Sequence, residues 1–411
     1  MKHSSLARRA LVMFSLTSLA CVGGTDVAEN AAQSVRLPPS PPPPPMPAHE
    51  LRDLGSGDLA AYAASLTHGG AYAPLTAARE SAVVAMFNAV NSAVDGYMAG
   101  TVTPNWCAVE STAHAAGYDL GRYYDTVTQR WIIVGLDVSG EGQASFFLNP
   151  NYRRDVVVEA PHVYDDNTKI EGRTDTEGAQ IFQQVRARLL LINGADRCQG
   201  TRGAACGGTF TSTSVCDRQA DEDVDSDGDG TLDPQDMRYR TADAGHNDDT
   251  AFHVLHQRAN DVWAGAAFVQ LHGNADSGVA LGGLSVSDGR RWASGSGLAT
   301  TFVSSLQSAQ GGNLAASLVN NCTDEQEILC GFYNAQGRYT NDTSATCSGL
   351  VLNVGGQRFL HLEQRAGTGN LVDNPAPVIN AIAATFPCLN GNCAAAAQWV
   401  PSAASACAVA Y

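Results

Sequence analysis

The chain lacks any excess of positive charge: 25 basic residues face 41 acidic ones, for a formal net charge of −16. Such a surface repels nucleic acid and favours solubility and bound cations. It also lacks a Cys-x-x-Cys pair among its 11 cysteines, which removes the spacing that thiolate zinc sites use. The apolar stretch Ala10 to Leu16 is too short to span a bilayer, and residues 51 to 124 carry no recognisable chemistry. What is present is 44% hydrophobic and 16% charged residues over 411 positions. That composition suits one large or two modest globular domains and excludes a disordered or fibrous chain.

The N-terminus carries export signals. A basic start, Met1-Lys-His-Ser-Ser-Leu-Ala-Arg-Arg, precedes the short apolar run and the small residues Thr17-Ser-Leu-Ala-Cys21, as in a secretory leader over residues 1–20. Cys21 after Ala20 resembles a bacterial lipidation site, with Ser18 where such signals usually carry Leu. The chain is therefore expected to be exported, as an outer-membrane or cell-surface lipoprotein held to the membrane by an N-terminal lipid, or as a secreted protein. Setting Cys21 aside leaves an even number of cysteines, which an oxidising compartment allows to pair, Cys322 with Cys330 and Cys388 with Cys393 being local candidates. Residues 37–47 are mostly proline and predict an extended spacer inside a tether over 21–50.

Beyond the tether, residues 51–125 read as a helical region, with apolar residues at helical spacing over Leu75 to Val94. From about residue 126 to 411 the texture changes to short apolar runs: Trp131 to Leu136, Ala144 to Leu148, Asp155 to Ala160, Leu189 to Ile192, Ala266 to Leu271, Gly349 to Leu352 and Phe359 to Glu363. Helical stretches, notably Glu177 to Arg188 and Thr250 to Trp263, lie between several of them. Strands without polar alternation, separated by helices, predict an α/β fold with a mixed, mostly parallel central sheet flanked by helices.

In such sheets ligands bind beyond the carboxyl ends of the strands. Three buried runs lead into His162, Arg197 and His272 there. Two neutral imidazoles plus a carboxylate, with one position left for water, suit a catalytic zinc ion. Asp165, three residues beyond His162, is the preferred acidic ligand, and Glu177 at a helix start is the alternative, its competing role being a carboxylate favoured by the helix dipole. His361 and Glu363 share one strand face because side chains alternate, which makes Glu363 the candidate general base. Arg197 and Arg338 are candidates for gripping a substrate carboxylate.

The segments Glu159-Ala-Pro-His-Val-Tyr-Asp165, Gly194-Ala-Asp-Arg197, Gln270-Leu-His-Gly273 and Arg358-Phe-Leu-His-Leu-Glu363 resemble, in order, those of zinc carboxypeptidase-like hydrolases. The pattern is most similar to the N-formylglutamate amidohydrolase and poly-γ-glutamate hydrolase branches. The resemblance implies one zinc held by His162, Asp165 and His272, Glu363 as base, and amide substrates that carry a carboxylate, whether peptide, formyl-amino acid or γ-glutamyl. The departure is Asp165 where carboxypeptidases use Glu.

A second cation signal lies in a Cys-, Gly- and Ser-rich insertion over 198–240. Asp225-Ser-Asp-Gly-Asp-Gly-Thr-Leu-Asp-Pro-Gln-Asp236 has oxygen donors at the positions of a calcium loop, Asp225, Asp227, Asp229, Thr231 (by its carbonyl), Asp233 and Asp236, with Gly230 at the tight turn. His246, His253 and His256 come after it in the chain. An alternative to the hydrolase is thus a non-catalytic, calcium-binding surface lipoprotein.

Overall fold

The computed structural model describes residues 51–66, 71–163, 173–200, 240–274, 284–290, 297–309, 319–320, 331, 334–341, 358–365 and 371–393. The leader, Cys21, the tether, Asp165, Gly349 to Leu352 and the calcium loop Asp225 to Asp236 lie outside them.

The described residues build one ten-stranded sheet. Its strands are β1 (Arg52–Gly57), β2 (Tyr118–Asp125), β3 (Arg130–Asp137), β4 (Ser145–Leu148), β5 (Val156–Ala160), β6 (Leu189–Ile192), β7 (Ala267–Asn274), β8 (Leu284–Ser287), β9 (Val319–Asn320) and β10 (Phe359–Arg365). They lie in the order β1-β2-β3-β4-β6-β5-β7-β10-β8-β9. The central four, β6, β5, β7 and β10, run parallel, whereas β3 and β4 join antiparallel to their neighbours and β8 joins antiparallel to β10 and parallel to β9. The fold is therefore α/β with a mixed sheet. The apolar runs without alternation occupy its centre, where both faces are covered.

Helices cover the two faces. On one side lie α2 (Ala77–Met98), α3 (Trp106–Ala115) and α5 (Ala251–Val262); on the other lie α1 (Leu59–Ser65), α4 (Thr174–Val185), α6 (Leu298–Ala309) and α8 (Ala376–Thr385). α2 begins where Thr76 Oγ1 accepts a hydrogen bond from the Arg79 N–H at 3.2 Å, which satisfies one of the orphan amides of a helix start. It buries Val83, Met86, Phe87, Val90, Ala93 and Val94, a helical-period stripe facing the core. Phe87 meets Trp263 with ring centroids 5.4 Å apart, and Trp263 Nε1 donates to Asn91 Oδ1.

The region over 51–125 contains the expected helices and also two strands, β1 and β2, which pair with each other and, through β3, join the same sheet. The strand β1, Arg-Asp-Leu-Gly-Ser-Gly, is largely exposed at the sheet edge, so its sequence carries no apolar period to announce it. Cys388 and Cys393 are disulfide-bonded, with Cα atoms 5.3 Å apart. The insertion expected over 198–240, with its cysteines and its calcium loop, lies almost wholly outside the described residues. No described helix is long and apolar enough to cross a membrane.

Candidate metal centre

Strand register brings the polar side chains together. Glu159 on β5 lies beside Gln270 on β7, Gln270 lies beside His361 on β10, and His272 lies beside Glu363. All five are buried. They alternate with Val158, Val269, Leu271, Leu360 and Leu362, which enter the apolar layer under α4, so the polar set shares the opposite face. His162 lies just past the end of β5. The sheet thus places polar rows at the carboxyl ends of its central parallel strands.

His162 and His272 meet directly, with Nδ1 atoms 3.1 Å apart and ring centroids 4.8 Å apart, edge to face. The outer nitrogen of each ring is fixed by an acceptor. His162 Nε2 donates to Asp243 Oδ1 at 2.8 Å, and His272 Nε2 donates to Gln270 Oε1 at 2.8 Å. The orientation of the Gln270 amide is in turn set by Glu159 Oε2 and Gln336 Oε1, which accept from Gln270 Nε2 at 3.1 and 3.2 Å. Asn334 Nδ2 also donates to Gln270 Oε1. Glu159 Oε1 meets His256 Nδ1 at 2.6 Å, and Thr340 Oγ1 meets His256 Nε2 at 2.9 Å.

With both outer nitrogens protonated, both Nδ1 lone pairs point at each other. Two acceptors at 3.1 Å repel unless a proton or a metal cation lies between them, and zinc bonded to imidazoles at about 2.0–2.1 Å sets tetrahedral nitrogens roughly 3.3 Å apart. The residues present therefore fit a divalent metal. A carboxylate and an amide holding the far ring nitrogens is the arrangement that orients histidine ligands.

Two groups of side chains among the described residues could hold an ion: His162 with Asp243 and His246, and His272 with His361 and Glu363. In the first, Asp243 Oδ1 lies 2.8 Å from His162 Nε2 and 3.0 Å from His246 Nδ1, while Oδ2 lies 3.0 Å from Arg197 Nη2. Those are hydrogen-bond distances, so Asp243 serves as the anionic hub behind His162. In the second, Glu363 Oε1 stands 3.9 Å from His272 Nδ1 and 3.6 Å from His361 Nε2. Gly331, at φ 64, packs so closely that a Cβ there would lie 2.7 Å from the His361 ring, a contact only glycine permits.

Electrostatics suit metal binding. Burial alone would raise the pKa of Asp243, but the charges of Arg197, His162 and His246 outweigh it and hold the carboxyl well below its usual range. Burial, followed by the charges of His361, His162, Arg197 and His246, pushes His272 well down. Burial chiefly brings His361 down to about 3. Imidazoles that are neutral at physiological pH present a lone pair to a cation without first losing a proton.

Of the candidates read from the sequence, His162, His272, His361 and Glu363 come together. Arg197 also reaches the centre, but its guanidinium is hydrogen-bonded to Asp243 rather than turned wholly toward a ligand. Arg338, on α7 (Ala335–Thr340), is completely enclosed, which removes it from contact with a solvent-borne substrate in this conformation. Glu177 does not reach the ion site: both of its oxygens accept from Gln364 Nε2, at 2.8 and 2.9 Å, and Gln364 is next to Glu363 in β10 and so faces the other side of the sheet. His253 and His256 are buried on α5, His253 Nδ1 meeting Gln336 Nε2 at 3.1 Å. Asp243, Gln270, Glu159 and Asn334 are site residues that the sequence did not single out. Gln270 was within reach, two residues before His272 on one strand face, and Asp243-Ala-Gly-His246 has a short acid-to-imidazole spacing. Glu159 and Asn334 had no signal, because strand and loop pairing alone places them.

No family model matches this chain, and no curated protein matches it. Among solved structures, the crystal structure of gene product Atu2144 from Agrobacterium tumefaciens aligns with a TM-score of 0.30 and 13% identity, covering 57% of this chain and 86% of that one. A likeness that weak implies nothing about this protein.

Proposed function

We propose that the protein is a zinc-dependent hydrolase acting on amide bonds in small substrates that carry a carboxylate. The observation that carries this reading is the pair of facing Nδ1 atoms of His162 and His272, 3.1 Å apart, with their far nitrogens tied to Asp243 and Gln270. Asp165, three residues beyond His162, is the proposed acidic ligand. When bound, zinc would polarise the substrate carbonyl and acidify water at the open position. Glu363, 3.9 Å from His272 Nδ1 and 3.6 Å from His361 Nε2, would accept a proton from the attacking water and return it to the departing amine. His361 backs that carboxylate, and Asp243 and Gln270 keep the ligand rings in register. The Arg197 guanidinium, next to the ion site, favours a substrate with a negative charge. Peptide, formyl-amino acid and γ-glutamyl amides all meet that description. The leader-like N-terminus and Cys21 support a reaction at the cell exterior or outer membrane.

Metal analysis and a hydrolysis screen of γ-glutamyl, N-formyl and muropeptide amides test the reading together. One equivalent of zinc, lost in His162→Ala and in His272→Ala, is expected. Glu363→Gln should retain the zinc and lose hydrolysis by about 100-fold or more, the scale of a missing general base. Calcium without zinc would instead favour the non-catalytic calcium-binding surface lipoprotein, for which the Asp225 to Asp236 motif speaks.

A further inference from the structure

A side-chain amide or a neutral imidazole can be turned end for end, exchanging a donor for an acceptor, whereas a backbone N–H only donates and a backbone carbonyl only accepts. The sense of a buried hydrogen-bond chain is therefore set where it meets the backbone. Behind His272 that happens at the start of α7.

Asn334 caps α7. Its Oδ1 accepts from the Gly337 N–H at 2.9 Å, so its free end is the NH2 group, and that group donates to Gln270 Oε1. Gln336 is fixed by a backbone group of the opposite sense. Its Nε2 donates to the Ala244 carbonyl at 2.8 Å, which leaves Oε1 to accept from Gln270 Nε2 at 3.2 Å. Gln270 thus meets a donor at its oxygen and an acceptor at its nitrogen, and turning it would oppose like groups at both ends. His272 Nε2, 2.8 Å from Gln270 Oε1, must then carry the proton, and Nδ1 keeps the lone pair that faces His162. Asn334, Gln336 and Gln270 are each at most 2% exposed, so bulk water does not repair a mismatched pair.

The same helix start reaches the other imidazole. The Ala335 N–H bonds to the Gly245 carbonyl at 2.8 Å, and Gly245, like Ala244, lies in the loop between Asp243 and His246. A Cβ on Gly245 would lie 3.3 Å from His162 Nε2 and 3.5 Å from Asn334 Nδ2. The loop that supplies Asp243, the partner of His162 Nε2, is therefore packed between His162 and the α7 cap. One helix turn braces the acceptors behind both rings.

We infer that Asn334 and Gln336 are positioning residues of the metal centre: they pass the fixed polarity of two backbone groups to Gln270, which makes His272 present Nδ1 to the ion. This inference rests on the zinc reading given above. It differs from a packing role in that the direction of the hydrogen bonds matters as well as their presence. Asn334→Asp isolates that difference, because aspartate caps a helix as well as asparagine does but offers Gln270 Oε1 an acceptor in place of a donor. Gln270 is then driven to turn its NH2 group toward His272, and the imidazole proton moves to Nδ1. Asn334→Ser also keeps a capping oxygen and is too short to reach Gln270, so it releases the amide without reversing it.

The full chain, labelled with 15N-histidine and observed with zinc and after chelation, tests this. The His272 signals are identified by their loss in His272→Gln. In the wild type His272 Nε2 should carry the proton in both states, with Nδ1 bound to the metal when zinc is present. In chelated Asn334→Asp the proton should lie on Nδ1, and zinc affinity measured against a competing chelator should fall at least tenfold. Asn334→Ser should give a mixture of tautomers and a smaller loss, and it carries the test if the Asp variant does not fold. An Nε2 that stays fully protonated in the folded variants, or zinc affinity lost without a change of tautomer, would overturn the inference and reduce Asn334 to packing. A wild type that binds no zinc would instead remove the hydrolase reading, while the tautomers of the metal-free proteins would still decide whether the α7 cap orients His272.

Discussion

Two carboxylates, Asp243 and Glu177, are equally inaccessible to water, yet they hold opposite charge states. Asp243 is surrounded by Arg197, His162 and His246 and stays ionised. Burial drives the Glu177 pKa up to about 8, with the Gln364 amide opposing only in part and the Asp373 charge adding to the rise. Burial alone raises any carboxyl; a neighbouring cation decides whether the rise survives. The two groups also sit on opposite faces of the sheet. The face with ionised Asp243 carries the two side-chain groups that could hold a cation, and the face with Glu177 is ordinary apolar packing that encloses one neutral acid.

The comparison breaks most severely at Asp243. Asp243→Asn removes the buried anion that Arg197, His162 and His246 share and is expected to destabilise the fold by about 3–5 kcal/mol, read by chemical denaturation. It should also weaken zinc by roughly 10–100-fold, read by competition with a chelator. A loss under about 1 kcal/mol would mean that Asp243 is not the hub described.

Glu177→Gln tests the other side. Its folded pKa lies above its unfolded value, so its contribution is fully present below the unfolded pKa of about 4.5 and is lost as pH rises through about 8. Over that window the wild-type stability should fall by about 1.4 kcal/mol per pH unit on account of this one group. The Gln variant should flatten the slope and leave zinc binding unchanged. An unaltered pH profile would contradict a neutral Glu177.

The smallest of these effects lies behind His272. Glu159→Leu removes one of the two oxygens that accept from Gln270 Nε2 and leaves Gln336 Oε1 to hold the amide alone, so Gln270 turns its NH2 group toward His272 in part of the population and moves the imidazole proton to Nδ1. Zinc affinity is expected to fall about tenfold, at the low end for such outer partners. In metal-free protein the 15N shifts of the His272 ring should report a changed tautomer, a signal that mere loosening of the fold would not give. Retention of the wild-type tautomer would remove Glu159 from this role.

Much of the α/β architecture was legible. Trp131 to Leu136, Leu189 to Ile192 and Phe359 to Glu363 are runs that only a doubly covered sheet accommodates, and they occupy β3, β6 and β10. The edge strand β1 was not legible, because its polar, glycine-containing sequence is held by hydrogen bonding to β2 rather than by burial. Among site residues, His162 and His272 announced themselves at strand ends, and His361 with Glu363 by strand alternation. Glu177 misled, since an acid at a helix start near His162 looks available until the helix is placed on the other face.

The order of apolar runs and the placement of imidazoles at their ends are written in the chain, since they depend on neighbours one to four residues apart. Which polar groups meet across strands depends on register between segments about 100 residues distant, as for Glu159 with Gln270 and His162 with His272. The same holds for charge state. No local pattern separates Asp243 from Glu177, because the deciding guanidinium and imidazoles arrive from other parts of the chain only once it has folded.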